Sequence, residues 1–275
     1  MRAKRLVRLF GLIVALLSVS RAAALASDDG RTLAPLFEAQ VTRRLNIPEA
    51  EQERYAELLT STLEKDGLAP LAPQYVILVD RSPHVQAAMI FWKSPEGPFY
   101  LIGATPVSTG LPGRYEHFVT PLGVYEYVTS HLDFRSQGTP NRFGIRGYGV
   151  RGLRIFDFGW VQAPKGWGDR ALSRLRLQMH ATDPDRLDPR LGTAQSEGCV
   201  RTTASFNRFV DRYGILDGDY ERAAAKGQRF SVLSPEREPT RWSGRYLVVV
   251  DSQREERPAW ARISRPAPPA HRTSR

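Results

Sequence analysis

The sequence predicts a mainly β protein with helices, a sheet sandwich or barrel placed behind an N-terminal helical segment. Three observations predict it. From Tyr75 onward, short β-rich runs alternate with Gly, Pro, Asp and Ser. Before that point the apolar residues recur at helical spacing. Finally, 275 residues with 41% hydrophobic and 10% aromatic content can bury a large core, which excludes wholesale disorder and collagen-like, coiled-coil or multi-span membrane chains.

Residues 2 to 8 are basic, Leu9 to Val19 is apolar, and Ala24-Leu25-Ala26 offers small residues for cleavage. Residues 1–26 therefore read as a secretory signal peptide. The run is too short to span a bilayer, for which about 20 apolar residues are needed. No cysteine stands near the cleavage region to carry a lipid. The expectation is a periplasmic protein without stable membrane insertion once the signal is removed.

Residues 33–67 read as helix. Asn46 to Glu49 resembles a capping box, Tyr55, Leu58, Leu59, Thr62 and Leu63 form the apolar stripe, and Gly67 is the stop. Leu68 to Gln74 is a Pro-rich linker. Strands are expected at 75–79, 86–92, 99–107, 123–128, 153–158, 175–179, 229–233 and 245–250, all within a domain covering 75–250. Thr202 or Thr203 can cap a helix running to about Tyr213, and 219–226 suggests another. Residues 252–275, rich in Pro and Arg, read as a disordered basic tail.

The net charge of +10 resides mostly at the two ends, leaving 28 basic against 27 acidic residues between 27 and 251. A nucleic-acid partner needs clustered basic residues on the folded body and a reading motif, and neither is present. Gly147-Tyr148-Gly149-Val150-Arg151-Gly152 matches the dinucleotide fingerprint formally. That motif requires a preceding strand and a helix opening on its last glycine, whereas here a β-like run follows, so it reads as a loop beside a site.

Cys199 is the sole cysteine and has no internal disulfide partner. In an oxidising compartment such a thiol is either buried and inert or present for its reactivity. Its neighbours favour reactivity. His180, at the end of an apolar β-like run, can act as base at neutral pH. Cys199 precedes a predicted helix whose N-terminal dipole favours a thiolate, and Gly198 lets the main chain approach, so amides at Gly198 and Cys199 can hold an oxyanion. The residues alone indicate acyl transfer.

His180-Ala181-Thr182, a loop, and then Ser196-Glu197-Gly198-Cys199-Val200-Arg201 resembles the signature of the YkuD-type L,D-transpeptidases. Val107-Ser108-Thr109-Gly110 and Thr120-Pro121-Leu122-Gly123-Val124-Tyr125 are similar to that family's Ser-Thr-Gly and Thr-Pro-x-Gly-x-Phe/Tyr elements. The resemblance covers 75–250 and implies a sandwich-like catalytic fold acting on peptidoglycan stem peptides. It implies that Cys199 attacks the third residue of a tetrapeptide stem and that His180 serves as proton acceptor and then donor. Ser196 would line the site, and Arg201 would stabilise its loop or meet a substrate carboxylate. Ala181 departs from the family's glycine, which matters if that residue needs positive φ, and Glu197 puts a carboxylate beside the thiol. The long segment 129–178, with Trp160 and Trp167, is either a lid or substrate wall or a packing insertion.

The alternatives are an L,D-carboxypeptidase or hydrolase using the same Cys-His site, and a non-catalytic wall-binding module. No Ser-x-x-Lys, Gly-x-Ser-x-Gly or Gly-Lys-Ser/Thr motif occurs, which excludes penicillin-binding-protein, nucleophile-elbow and phosphate-loop chemistry. No metal or cofactor is expected. His84, His117, His131 and His271 lack ligand spacing, and His180 with Asp183 and Asp185 is a weak set beside a free thiol. A redox role lacks a resolving cysteine. Oligomeric state is not legible in the sequence.

Overall fold

The computed structural model describes residues 29–262. The expected signal peptide therefore lies outside the described residues, as does most of the expected tail. The chain is mixed α and β. Its helices are α1 (Leu33–Gln40), α2 (Glu49–Lys65), α3 (Ala204–Arg212) and α4 (Gly218–Ala224). A five-stranded sheet has the order β3-β2-β1-β9-β4, from β1 (Gln74–Asp80), β2 (Ala87–Lys93), β3 (Phe99–Pro106), β4 (Gly123–Glu126) and β9 (Tyr246–Val250). A four-stranded sheet has the order β5-β6-β7-β8, from β5 (Phe134–Arg135), β6 (Arg154–Pro164), β7 (Leu172–Ala181) and β8 (Val200–Thr202). No described helix is long and apolar enough to cross a membrane.

The five-stranded sheet is buried on both faces, which explains why its strands read as continuous apolar runs rather than alternating ones. On one face Val76, Leu78, Met89, Phe91 and Val248 pack with Tyr55, Leu59 and Leu63 of α2. On the other, Ile77, Val79, Ile90, Leu247 and Val249 share a core with Phe37 of α1, Phe156, Leu177, Met179 and Val200 of the second sheet, and Phe206 and Phe209 of α3. The second sheet is covered less evenly: β7 alternates over its first half, with Leu175 and Leu177 buried against exposed Arg174 and half-buried Arg176, and from Leu177 to Ala181 every residue is buried, Gln178 and His180 on the face opposite Met179.

The expected helix over 33–67 is interrupted. Residues 41–48 leave helical geometry, with Arg43 at φ 54, because Pro48 disfavours helix in the residue before it and Val41 and Thr42 are β-branched. The Asn46–Glu49 capping box does not form, since Pro48 occupies the cap without a side-chain bond. The stop is as read: Gly67 sits at φ 70, and Leu68 N–H donates to the Leu63 carbonyl at 2.9 Å, closing a Schellman turn. Thr203 is the cap of α3, its side chain accepting from Phe206 N–H.

Two other expectations are corrected, and the open choice for segment 129–178 is narrowed. Residues 229–233 form no strand, because the Val232 carbonyl is taken by the Arg135 guanidinium at 2.8 Å instead of by a neighbouring strand. Segment 129–178 is not chiefly a lid. Most of it is β5, β6 and the start of β7, with only the loop between β5 and β6 left to flank a site. Residues 252–262 do not belong to a free tail. Trp260 packs edge-on against Tyr55 at 5.9 Å, Arg257 donates to the Pro83 carbonyl at 2.8 Å, and Arg254 pairs with Glu51.

The second sheet is tied to the helices through Arg154, a fully buried guanidinium at the start of β6. It meets Asp217 at 2.9 Å, Asp211 of α3 at 3.3 Å and the Tyr127 hydroxyl at 3.0 Å. Removing one partner of a buried ion pair leaves the other uncompensated, at a cost of about 3 to 5 kcal/mol. Arg154→Ala is thus expected to lower the unfolding free energy by about that amount in a urea titration, and a loss under about 1 kcal/mol would contradict this account.

Candidate active site

β7 and β8 run parallel, with Met179 opposite Val200, His180 opposite Arg201 and Ala181 opposite Thr202. Met179 and Val200 both face the core, so the alternation of side chains turns His180 and Arg201 to the opposite face. Cys199, one position before β8, follows the same parity and faces outward. Two residues separated by a loop of some length thereby enter the wall of one cavity of about 510 Å3, shared with Arg114, His117, Tyr148, Arg190 and Glu197.

His180 is buried. Its Nδ1 lies 2.7 Å from the carbonyl of Ala181, which fixes the proton on that nitrogen and leaves the Nε2 lone pair for chemistry. Burial pushes its pKa down to about 4, the Ala181 carbonyl opposing this and the Arg201 charge adding to it. Ala181 is a buried β7 residue outside the positive-φ positions, so replacing glycine there does not distort the turn.

Cys199 is half-buried, with Sγ 3.8 Å from the Arg176 carbonyl. The expected help from a helix dipole is absent, because β8 intervenes and α3 starts only at Ala204. Burial pushes the thiol up to about 11, the Gln178 amide and Arg201 pulling down while Glu197 and Asp157 push up. Desolvation outweighs the attraction of Arg201. At neutral pH the resting pair is a neutral thiol and a neutral imidazole, and the two make no hydrogen bond to each other. Free enzymes commonly hold such pairs loosely and tighten them around substrate.

The turn carrying Cys199 is held by its own polar groups. Gly198 has φ +128, and a Cβ there would lie 2.8 Å from Leu175 Cδ2, so both conformation and space require glycine. The Gly198 carbonyl accepts from Thr120 Oγ1 at 2.7 Å, and the same oxygen of Thr120 accepts from Gly110 N–H at 2.9 Å. Ser196 does not line the cavity as expected. It is buried, donating to the Cys199 carbonyl at 2.6 Å and accepting from Gly198 N–H at 3.1 Å. That second bond consumes the Gly198 amide, which therefore is not free to hold an oxyanion. The Cys199 amide, outside the β7–β8 ladder and without an acceptor among the described residues, remains available.

Arg201 is braced to its own loop through the Gln195 carbonyl at 3.2 Å and, through its main chain, to Ser108. Its Nε is buried without a partner, while the side chain reaches the cavity. Both roles considered for it are thus sterically open. The residues that sequence reasoning missed are His117, which bonds the Ser196 carbonyl at 2.9 Å, Tyr148, which packs on the His180 ring, and Gln178 and Asp157, which are hydrogen-bonded in turn behind Tyr148. The polar alternation of β7 could have found Gln178. Trp160 lies outside the cavity wall, 58% exposed over Arg174, whereas Trp167 braces Phe118 behind the cysteine turn at 5.0 Å. Among the described residues no cluster of His, Cys, Asp and Glu could hold a metal ion.

No family model matches the sequence, and no curated protein matches it. Among solved structures the chain is similar to the L,D-transpeptidase from Mycobacterium smegmatis, at 14% identity and a TM-score of 0.28, over 65% of this chain and 59% of that one. It is also similar to a fused Zn-dependent amidase/peptidase/peptidoglycan-binding domain-containing protein from Clostridium acetobutylicum ATCC 824, at 12% identity and a TM-score of 0.27, over 77% of this chain and 66% of that one. The chain spans less than two thirds of the length of either.

Alkylation by iodoacetamide reports the thiolate directly. Its rate should rise with a midpoint near pH 11 rather than the ordinary value of about 8.5. Glu197→Gln should move that midpoint down by removing a neighbouring negative charge. A midpoint at or below about 8.5 in the native protein would refute the desolvated neutral thiol.

Proposed function

We propose that this chain is a peptidoglycan L,D-transpeptidase, a periplasmic enzyme whose sandwich-like catalytic domain transfers an acyl group from a tetrapeptide stem to an acceptor amine through Cys199. The observation that carries the reading is a single thiol and an imidazole with a free Nε2 on one sheet face, opening into one cavity. The cavity's arginines, Arg114, Arg190 and Arg201, against the lone carboxylate of Glu197 suit a donor that carries carboxylates.

In this mechanism the substrate carbonyl enters between thiol and imidazole. Nε2 of His180 takes the thiol proton as the sulfur–carbon bond forms, so no free thiolate accumulates. The Cys199 amide donates to the developing oxyanion. Collapse breaks the carbon–nitrogen bond to the terminal D-alanine, whose amine leaves with the proton from His180. The thioester is then attacked by the acceptor amine, which gives its proton to Nε2. The new amide forms, the sulfur departs, and it recovers that proton. Because His180 stays neutral above about pH 4, it can act as base throughout the neutral range.

Purified disaccharide-tetrapeptide incubated with the protein should yield free D-alanine and dimers cross-linked through the third residues, read by mass spectrometry. Cys199→Ala should abolish both products, and His180→Ala should slow them by about 100-fold or more. Tripeptide without dimers would replace transfer by hydrolysis, and the absence of every product would defeat the enzymatic reading.

A further inference from the structure

The Gly147–Gly152 loop has no nucleotide role, yet its glycines are placed for a purpose. Gly149, at φ +75, lies so close to β7 that a Cβ would stand 3.1 Å from Ala181 Cβ and from the Thr182 carbonyl. The loop is tied to the turn after His180, since Arg146 N–H donates to Asp183 Oδ2 at 2.9 Å, and to the end of β5, since Ser136 Oγ donates to the Gly149 carbonyl at 3.2 Å. This seats Tyr148 with its ring edge-on to the His180 imidazole, centroids 4.6 Å apart.

Behind Tyr148 runs a fixed chain of hydrogen bonds. Asp157 is fully buried, and its Oδ2 accepts from Arg176 Nε at 2.7 Å and from Gln178 Nε2 at 2.7 Å. That commits the Gln178 amide to one orientation, with Oε1 left to accept from the Tyr148 hydroxyl at 3.0 Å. The tyrosine therefore cannot rotate its hydroxyl elsewhere without stranding the Gln178 oxygen. A buried carboxylate two strands away from β8 is in this way mechanically connected to the imidazole.

We infer that Asp157, Gln178 and Tyr148 form a positioning relay that holds the His180 ring and keeps water from one side of it, the loop glycines existing to seat the tyrosine. The inference rests on reading His180 as the base. The charged and titratable groups that share the cavity with the imidazole are Arg201 from β8, Cys199 and Glu197 from the turn before it, Tyr148 from the glycine loop, and Arg114, His117 and Arg190 from the flanking loops.

The test uses the full chain labelled with 15N-histidine. The His180 ring is titrated by NMR, and acylation of Cys199 by a carbapenem is timed by mass spectrometry. Tyr148→Ala removes the ring and should raise the His180 midpoint from about 4 toward the solvated value of about 6.5. Tyr148→Phe keeps the ring and should leave the midpoint in place while slowing acylation roughly tenfold, as should Gln178→Leu. Tyr148 is 42% exposed on a loop, so its variants retain the core, and the fold of Gln178→Leu, a buried position, is checked by its NMR spectrum before it is scored. An unchanged midpoint in Tyr148→Ala, or acylation within about twofold of wild type in both Tyr148→Phe and Gln178→Leu, would overturn the relay. Should the wild type itself fail to acylate, the enzymatic reading falls and the midpoint of Tyr148→Ala alone decides the relay.

Discussion

Three parallel residue pairs between β7 and β8 bring Cys199 and His180 onto the same face of the second sheet, and every feature of the site follows from that register. Because successive side chains point to opposite faces, a slip of one residue would drive the imidazole into the core and expose Met179 or Val200. Both apolar residues are almost fully buried, so the core itself penalises the slip. β8 is only three residues long and would hold poorly alone. It is locked from its other edge by Ser108, which exchanges both main-chain hydrogen bonds with Arg201 at 2.9 and 3.0 Å.

The turn before β8 illustrates how local chemistry serves this register. Ser196, Thr120 and His117 satisfy the carbonyls and amides that a tight glycine turn would otherwise leave unpaired in a buried setting. The same satisfaction removes the Gly198 amide from the oxyanion site. Burial then decides the electrostatics. Arg201 stands close enough to favour a thiolate, but loss of solvation is the larger effect, and the thiol and imidazole both rest uncharged. A neutral thiol is also a poorer target for oxidants than a thiolate.

Much of this was legible in the sequence. The Gly67 stop, the Thr203 cap and the β runs of the first sheet all depend on residues within a few positions of each other or on periodicity along one strand. The failures have a common cause. Residues 229–233 have strand composition but lost their partner to Arg135, a residue nearly a hundred positions away. Ser196 reads as a site-lining hydroxyl, yet its neighbours in space turn it inward.

The sequence by itself determined which thiol and imidazole are on offer, the periodic faces of the elements and the places where glycine and proline interrupt them, because these are properties of short stretches of chain. Only the tertiary structure decided which strand lies beside which, which amide is left to receive an oxyanion, how far burial moves the two protons of the site, and that Tyr148 and Asp157 stand behind the imidazole. Those outcomes, including the Asp157–Gln178–Tyr148 hydrogen bonds that end at the ring packed on the imidazole, depend on solvent exclusion and on contacts between distant segments, and neither is encoded at any single position.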